Sequence, residues 1–257
     1  MDYSIYAKEL KNLGKLRCQY CGSTALTYGG STFCHICEGL VLPAASPPEQ
    51  ISEAYSIFAS GKIADAKEAL GAACKGSQNA RLLFGAANIF DAISDWEYSG
   101  TDYGRPGFMY ENSNSIYASL DTTSKSKEML YKSIKLLLQE YTESKNAEVS
   151  YLLFTSNIKL KRKVYAFRQL AELKGEPAKY ANMVYAAEYS EKSVRAYLDS
   201  LLGKHVNSLY YLSKYLIHLR KFKAASKVLE AINSNVFMPK ATYLMRRLKL
   251  LLEETRL

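Results

Sequence analysis

Four cysteines in two closely spaced pairs constrain the fold of this chain more than any other feature. Two residues separate Cys18 from Cys21 and Cys34 from Cys37, and twelve residues lie between the pairs. A two-residue spacing lets both thiolates of a pair reach one ion, and two pairs complete the tetrahedral four-sulfur set of a closed structural zinc site. We therefore predict that these cysteines bind one structural Zn²⁺.

Two other residues compete with this interpretation. His35 lies inside the second pair and could in principle replace a cysteine, but with four well-spaced thiolates we expect it on the surface. The fifth cysteine, Cys74, falls on the apolar face of a predicted helix, so we expect a small core residue and not a nucleophile.

The sequence also shows no signal peptide and no run of about 18 apolar residues, which favours a cytoplasmic chain that spans no membrane.

The segment between the two pairs predicts a β-hairpin. Residues 25–28 and 31–33 would form its strands, and Gly29-Gly30 would form its turn. With Cys21-Gly22 and the run 39–42 after the last cysteine, this module resembles the N-terminal zinc ribbon of transcription factor IIB. The resemblance implies a ribbon that docks on RNA polymerase. The chain departs from that family at Glu38, where glycine is usual.

Proline and glycine punctuation divides the chain into four predicted parts. Residues 1–15 form an N-terminal helix, 16–43 the zinc ribbon, 44–50 a linker and 51–257 a helical repeat domain. The proline-rich stretch at 43–48 predicts the linker, because it cannot continue a helix. We expect this linker to separate the ribbon core from the helical core. The predicted fold class is mostly α, with a small ribbon in front of an array of helical hairpins.

Helical periodicity dominates after residue 48. It predicts helices at 49–60, 63–74, 79–96, 124–142, 146–173, 178–187, 190–202, 205–219, 222–233 and 239–254, and a long loop at 98–122. Residues 54–73 and 209–232 resemble the tetratricopeptide repeat, and residues 178–202 are a looser candidate. Two alternatives stay open: an irregular helical bundle, and the two cyclin-like folds that follow the ribbon in the factor IIB family.

Basic residues are concentrated near the C-terminus. The chain has a net charge of +9, and residues 201–257 carry eleven Lys and Arg against three Glu. Two clusters are candidate contacts for phosphates or an acidic partner: Lys159, Arg162 and Lys163 in one, and Lys240, Arg246, Arg247 and Lys249 in the other. The simpler interpretation, a solvated helix face with tyrosines in the core, is favoured over either kind of contact.

The sequence contains no phosphate loop, dinucleotide fingerprint or nucleophile elbow, and only three histidines. We therefore expect a non-enzymatic interaction adaptor that binds a protein partner through its helical array. The alternative is a factor associated with RNA, DNA, a ribosome or another ribonucleoprotein, or RNA polymerase, which would use the basic C-terminal quarter.

Overall fold

The computed structural model of the chain describes residues 10, 14–27, 33–42, 45–100, 123–189, 191–202 and 204–254. The predicted N-terminal helix at 1–15 therefore lies mostly outside the described residues, and its last two residues, Gly14 and Lys15, belong to a strand instead. Most of the predicted loop at 98–122 also lies outside the described residues. Leu10 is buried in the main hydrophobic core.

The described residues are mostly helical, as predicted. Their eleven helices are α1 Glu49–Ala59, α2 Ile63–Cys74, α3 Ala80–Gly100, α4 Ser124–Ser144, α5 Ala147–Lys159, α6 Lys163–Leu170, α7 Gly175–Tyr189, α8 Glu191–Leu201, α9 Val206–His218, α10 Phe222–Asn235 and α11 Pro239–Glu254. Consecutive helices pack in pairs, namely α1 with α2, α3 with α4, α5 with α6, α7 with α8, and α9 with α10. The last helix, α11, packs on both α10 and α3. Because α3 and α11 are far apart in sequence, this contact brings the last helix against the N-terminal part of the array.

Two short strands accompany the cysteines. β1 Gly14–Arg17 and β2 Thr24–Thr27 pair antiparallel, with Arg17 opposite Thr24, so they flank the first cysteine pair. A single antiparallel bridge between Phe33 and Leu40 flanks the second pair. The predicted hairpin between the pairs is not seen in the described residues, since 25–27 pair with the chain that precedes Cys18. Each cysteine pair reverses the chain, which brings the segments on either side of the same pair together.

Three helical hairpins have turns of the same geometry. Gly61, Lys161 and Arg220 each follow the first helix of a pair by two residues, and all three have a left-handed backbone, with φ of 85°, 57° and 55°. The main-chain N–H of each donates to the carbonyl three residues earlier, at 2.9–3.0 Å. Five and nine residues later stand a buried alanine and a buried leucine: Ala66 and Leu70, Ala166 and Leu170, Ala225 and Leu229.

The hairpin formed by α5 and α6 corrects one prediction. Residues 146–173 do not form a single helix, because the chain turns at residues 160–162 between α5 and α6. The sequence gives little sign of this turn, since Lys161 occupies the left-handed position that Gly61 occupies in the first copy. An ion pair with Glu188 holds Lys161 in place.

A pair of glycine substitutions tests the shared turn. We expect Gly61→Ala to lower the free energy of unfolding by about 1 kcal/mol, since a side chain disfavours left-handed backbone. Gly71→Ala, inside α2, is the matched control and is expected to raise it by about 0.5–1 kcal/mol. A Cβ would meet nothing within 4 Å at either position, so only the backbone differs. Urea denaturation measures both, and equal effects would contradict the turn.

Candidate metal centre

The four cysteine sulfurs converge on one point. All four lie within 4.8 Å of one another and are fully buried. The sulfurs of Cys18 and Cys37 are 3.5 Å apart, and those of Cys21 and Cys34 are 3.6 Å apart. A tetrahedral zinc site with Zn–S bonds of about 2.3 Å places its sulfurs about 3.8 Å apart. The four cysteines are therefore arranged to hold one metal ion, and their donor set is one that zinc prefers.

The two cysteine pairs have the same backbone geometry. The N–H of Gly22 donates to the carbonyl of Cys18, and the N–H of Glu38 donates to that of Cys34, both at 2.9 Å. Gly22 has a φ of 68° and Glu38 a φ of 60°. Glu38 thus adopts a left-handed conformation in which a non-glycine residue is strained.

Burial disfavours a negative charge on two of the four cysteines. Burial raises the pKa of Cys18 and of Cys37 well above the usual range. Burial also opposes ionisation of Cys34, but hydrogen bonds from the other three thiols lower its pKa well below the usual value. Four buried thiolates are therefore stable together only around a positive ion, which deprotonates its thiol ligands.

The cysteine module is packed inside the helical body. The backbone of Tyr20 touches α3 at Gly85, and the Tyr20 hydroxyl donates to Glu148 of α5 at 2.9 Å. The cysteines share one hydrophobic cluster with residues of α1 to α5, among them Phe58 and Phe84. The expectation that a linker separates the ribbon core from the helical core is therefore wrong, since both contribute to the same core. The boundary at 44–50 itself stays a prediction.

Glu38 connects the module to the last helices. Its carboxylate forms an ion pair with Lys240 of α11 and accepts hydrogen bonds from the Tyr211 hydroxyl of α9 at 3.1 and 3.2 Å. Its main-chain oxygen accepts from the Tyr151 hydroxyl of α5 at 2.9 Å. Burial opposes ionisation of Glu38, but the charge of Lys240 lowers its pKa. These contacts offset the backbone strain and fix the second cysteine pair against three helices.

A small polar cavity lies beside Glu38. It has a volume of about 50 Å³ and is lined partly by His35, Asp91, Asp95 and Lys159. Burial and the neighbouring Asp91 raise the pKa of Asp95 to about 7. Contrary to expectation, His35 is buried, and burial lowers its pKa. The cavity has room for a few water molecules. Nothing in the sequence marks this cluster, because its members come from distant elements.

The structure divides the seven predicted basic contacts among different environments. Lys159 lies 3.4 Å from Asp91, and Lys240 pairs with Glu38, so both face the interior. The others remain nearer the surface, mostly beside aromatic rings: Arg162 lies over Tyr165, Lys163 over Tyr189, Arg247 donates to the Tyr243 hydroxyl, and Arg246 and Lys249 line a groove with Trp96. Neither of the two predicted clusters is therefore a single continuous surface.

No protein-family model matches this chain, and no curated protein or solved structure shows significant similarity to it. Within the described residues, no helix combines the length and apolar character needed to cross a lipid bilayer.

Proposed function

We propose that this protein is a non-enzymatic interaction adaptor, in which a structural zinc ion anchors a tetratricopeptide-like helical array that binds a protein partner. One observation carries the proposal: an exposed aromatic and aliphatic surface on α4 and α6. It consists of Tyr131, Val164, Tyr165 and Phe167, each 50–62% exposed. Helix α6 buries only Ala166 and Leu170, so most of its circumference faces solvent. Exposed apolar patches of this kind are typical of protein-binding surfaces.

The charges around this α4–α6 patch suggest the chemistry of the partner. The Arg162 guanidinium lies 4.1 Å from the centre of the Tyr165 ring and 6.0 Å from that of Tyr131, and Arg168 lies 5.9 Å from Tyr165. Aromatic rings bounded by guanidinium groups match a segment that combines apolar side chains with carboxylates. We propose an acidic, apolar segment of a partner protein as the occupant.

Two resemblances bear on the proposal in different ways. The three hairpins with a common turn support a tetratricopeptide-like repeat, although the contact between α3 and α11 differs from an open solenoid, in which each repeat touches only its neighbours. The factor IIB resemblance supports a zinc ribbon. However, the module is largely covered by helices, which favours partner binding by the array and not by the ribbon.

A second candidate function is a factor associated with nucleic acid or a ribonucleoprotein. The exposed cations Arg246 and Lys249 beside Trp96 favour it. Lys159 and Lys240 do not contribute, because both form interior ion pairs.

A comparison of variants tests the adaptor function. We expect the double substitution Tyr165→Ser/Phe167→Ser to leave folding intact and to reduce recovery of the specific partner at least tenfold in affinity purification from the native cell. The matched control, Leu42→Ser/Leu219→Ser, changes two exposed apolar residues outside the patch and should retain that partner. Quantitative mass spectrometry with nuclease treatment identifies the partner, and titration of the purified partner measures the affinity loss. Equal binding by both variants, or loss of every partner on nuclease treatment, would contradict the proposal.

A further inference from the structure

A wide groove lies beside the contact between α3 and α11. It has a volume of about 980 Å³ and is lined by Trp96 of α3, by the end of α10 and its connection to α11, and by one face of α11. This volume is at the upper end of the range for small-molecule and cofactor sites. The groove lies on elements other than those of the α4–α6 patch.

The floor of the groove is aromatic and accessible. Trp96 and Phe237 are 37% and 36% exposed, and their ring centres are 5.4 Å apart with the planes tilted by 51°. Phe58 supports Phe237 from the buried side, with ring centres 5.5 Å apart. The two accessible rings are therefore held on a packed base. Exposed rings fixed in this way offer faces on which a planar heterocycle can stack.

The rim of the groove is cationic and polar. Arg246 and Lys249 are one turn apart on α11, and both are exposed. Asn233 and Thr242 add an amide and a hydroxyl group, and the Thr242 hydroxyl donates to the Asn233 side-chain oxygen at 3.1 Å. Among the described residues that line the groove there is no carboxylate. The site is thus complementary to an anionic ligand.

We propose that this groove binds a nucleotide, with its base stacked on Trp96 or Phe237 and its phosphate held by Arg246 and Lys249. Stacking requires a planar ring, and paired cations one turn apart match a phosphate. The nucleotide is either free or part of a single-stranded RNA, since both present the same chemistry. This inference rests on the second candidate function and is independent of protein binding by the α4–α6 patch.

Trp96 provides the test, because it is the single tryptophan of the chain. The full-length protein is titrated at low salt with adenosine 5′-monophosphate, with adenosine, and with a ten-nucleotide oligoadenylate, while Trp96 fluorescence is recorded. We expect quenching by the nucleotide or the oligonucleotide, and at least tenfold weaker binding of adenosine. If the mononucleotide and the oligoadenylate bind with comparable affinity per nucleotide, the natural ligand is a free nucleotide. If the oligoadenylate binds much more tightly, the natural ligand is a single-stranded RNA. For an RNA strand, the logarithm of the association constant should fall linearly with the logarithm of the salt concentration, with a slope of about −0.7 for each neutralised phosphate.

Variants assign the binding to the groove. Arg246→Glu/Lys249→Glu should weaken binding at least tenfold. Lys223→Glu/Lys227→Glu makes the same change in net charge on exposed positions of α10 and should weaken it less than threefold. Trp96→Phe, followed by anisotropy of a labelled oligonucleotide, checks stacking without relying on the quenched residue. The proposal is overturned if neither ligand quenches Trp96 at low salt. It is also overturned if the two charge variants lose affinity equally. None of these outcomes affects the adaptor test, which uses other residues.

Discussion

Cys34→Ser is expected to unfold much of the helical body and not merely the cysteine module. The Cys34 sulfur is fully buried, and its main-chain oxygen accepts a hydrogen bond from the Asn207 amide of α9 at 3.2 Å. Structural zinc sites have apparent binding free energies of about 10–16 kcal/mol, comparable with the 5–15 kcal/mol total stability of a typical domain. Since the four cysteines share a core with α1 to α5, loss of a metal ion bound by them would remove support from all of these helices.

Far-ultraviolet circular dichroism during a thermal scan measures this effect, and elemental analysis reports bound zinc. Cys74→Ser is the matched control, because Cys74 is part-buried, lies outside the ligand set and has its pKa raised to about 11 by burial. It should keep the parent zinc content and melt within a few degrees of the parent. A Cys34→Ser protein that loses zinc but retains the parent helical signal and melting temperature would show that the module and the helices fold separately.

Gly85→Ala is expected to cost at least about 3 kcal/mol of stability, at the upper end of the range for overpacking substitutions. A Cβ at Gly85 would lie 2.5 Å from the carbonyl carbon of Tyr20 and closer still to its oxygen. Both atoms belong to the backbone of the first cysteine pair, so no side-chain rotation relieves the clash. Either α3 or the module must move, and either movement separates the Tyr20 ring from Phe84, whose centre is 5.6 Å away.

Chemical denaturation of Gly85→Ala, with zinc content determined in parallel, checks this expectation. Gly71→Ala serves as its control, since it introduces the same methyl group on a helix where nothing lies within 4 Å. A Gly85→Ala protein as stable as the parent would mean that α3 does not contact the cysteine module as closely as described.

The convergence of the four cysteines was predictable because the spacing within each cysteine pair is a local property of the chain. The helices were also predictable, since their apolar periodicity is local, and Gly61 marked the first turn directly. The equivalent turn at Lys161 is not predicted because lysine does not signal left-handed backbone, and the ion pair of its side chain with Glu188 becomes apparent only in the structure.

The position of the module was not predictable, because it depends on residues remote from the cysteines. In the sequence, Gly85 resembles any other glycine within a helix. Only the structure shows that the backbone of Tyr20 packs against it and excludes a side chain. In the sequence, Glu38 is only a departure from the ribbon motif. The structure shows that its carboxylate connects the module to the last helices through Lys240 and Tyr211. The separation of Lys240 from Arg246 on α11 has the same origin, since one faces Glu38 and the other faces the groove.

The central claim is that one metal ion organises the helical body around the cysteine module. It is tested most directly by titrating Zn²⁺ into metal-free, fully reduced protein while the helical circular dichroism signal and the bound zinc are measured together. The account predicts low helical content without metal, a rise in proportion to bound zinc, and saturation at one ion per chain held by Cys18, Cys21, Cys34 and Cys37. Full helical content in the metal-free protein, or saturation without bound zinc, would contradict it.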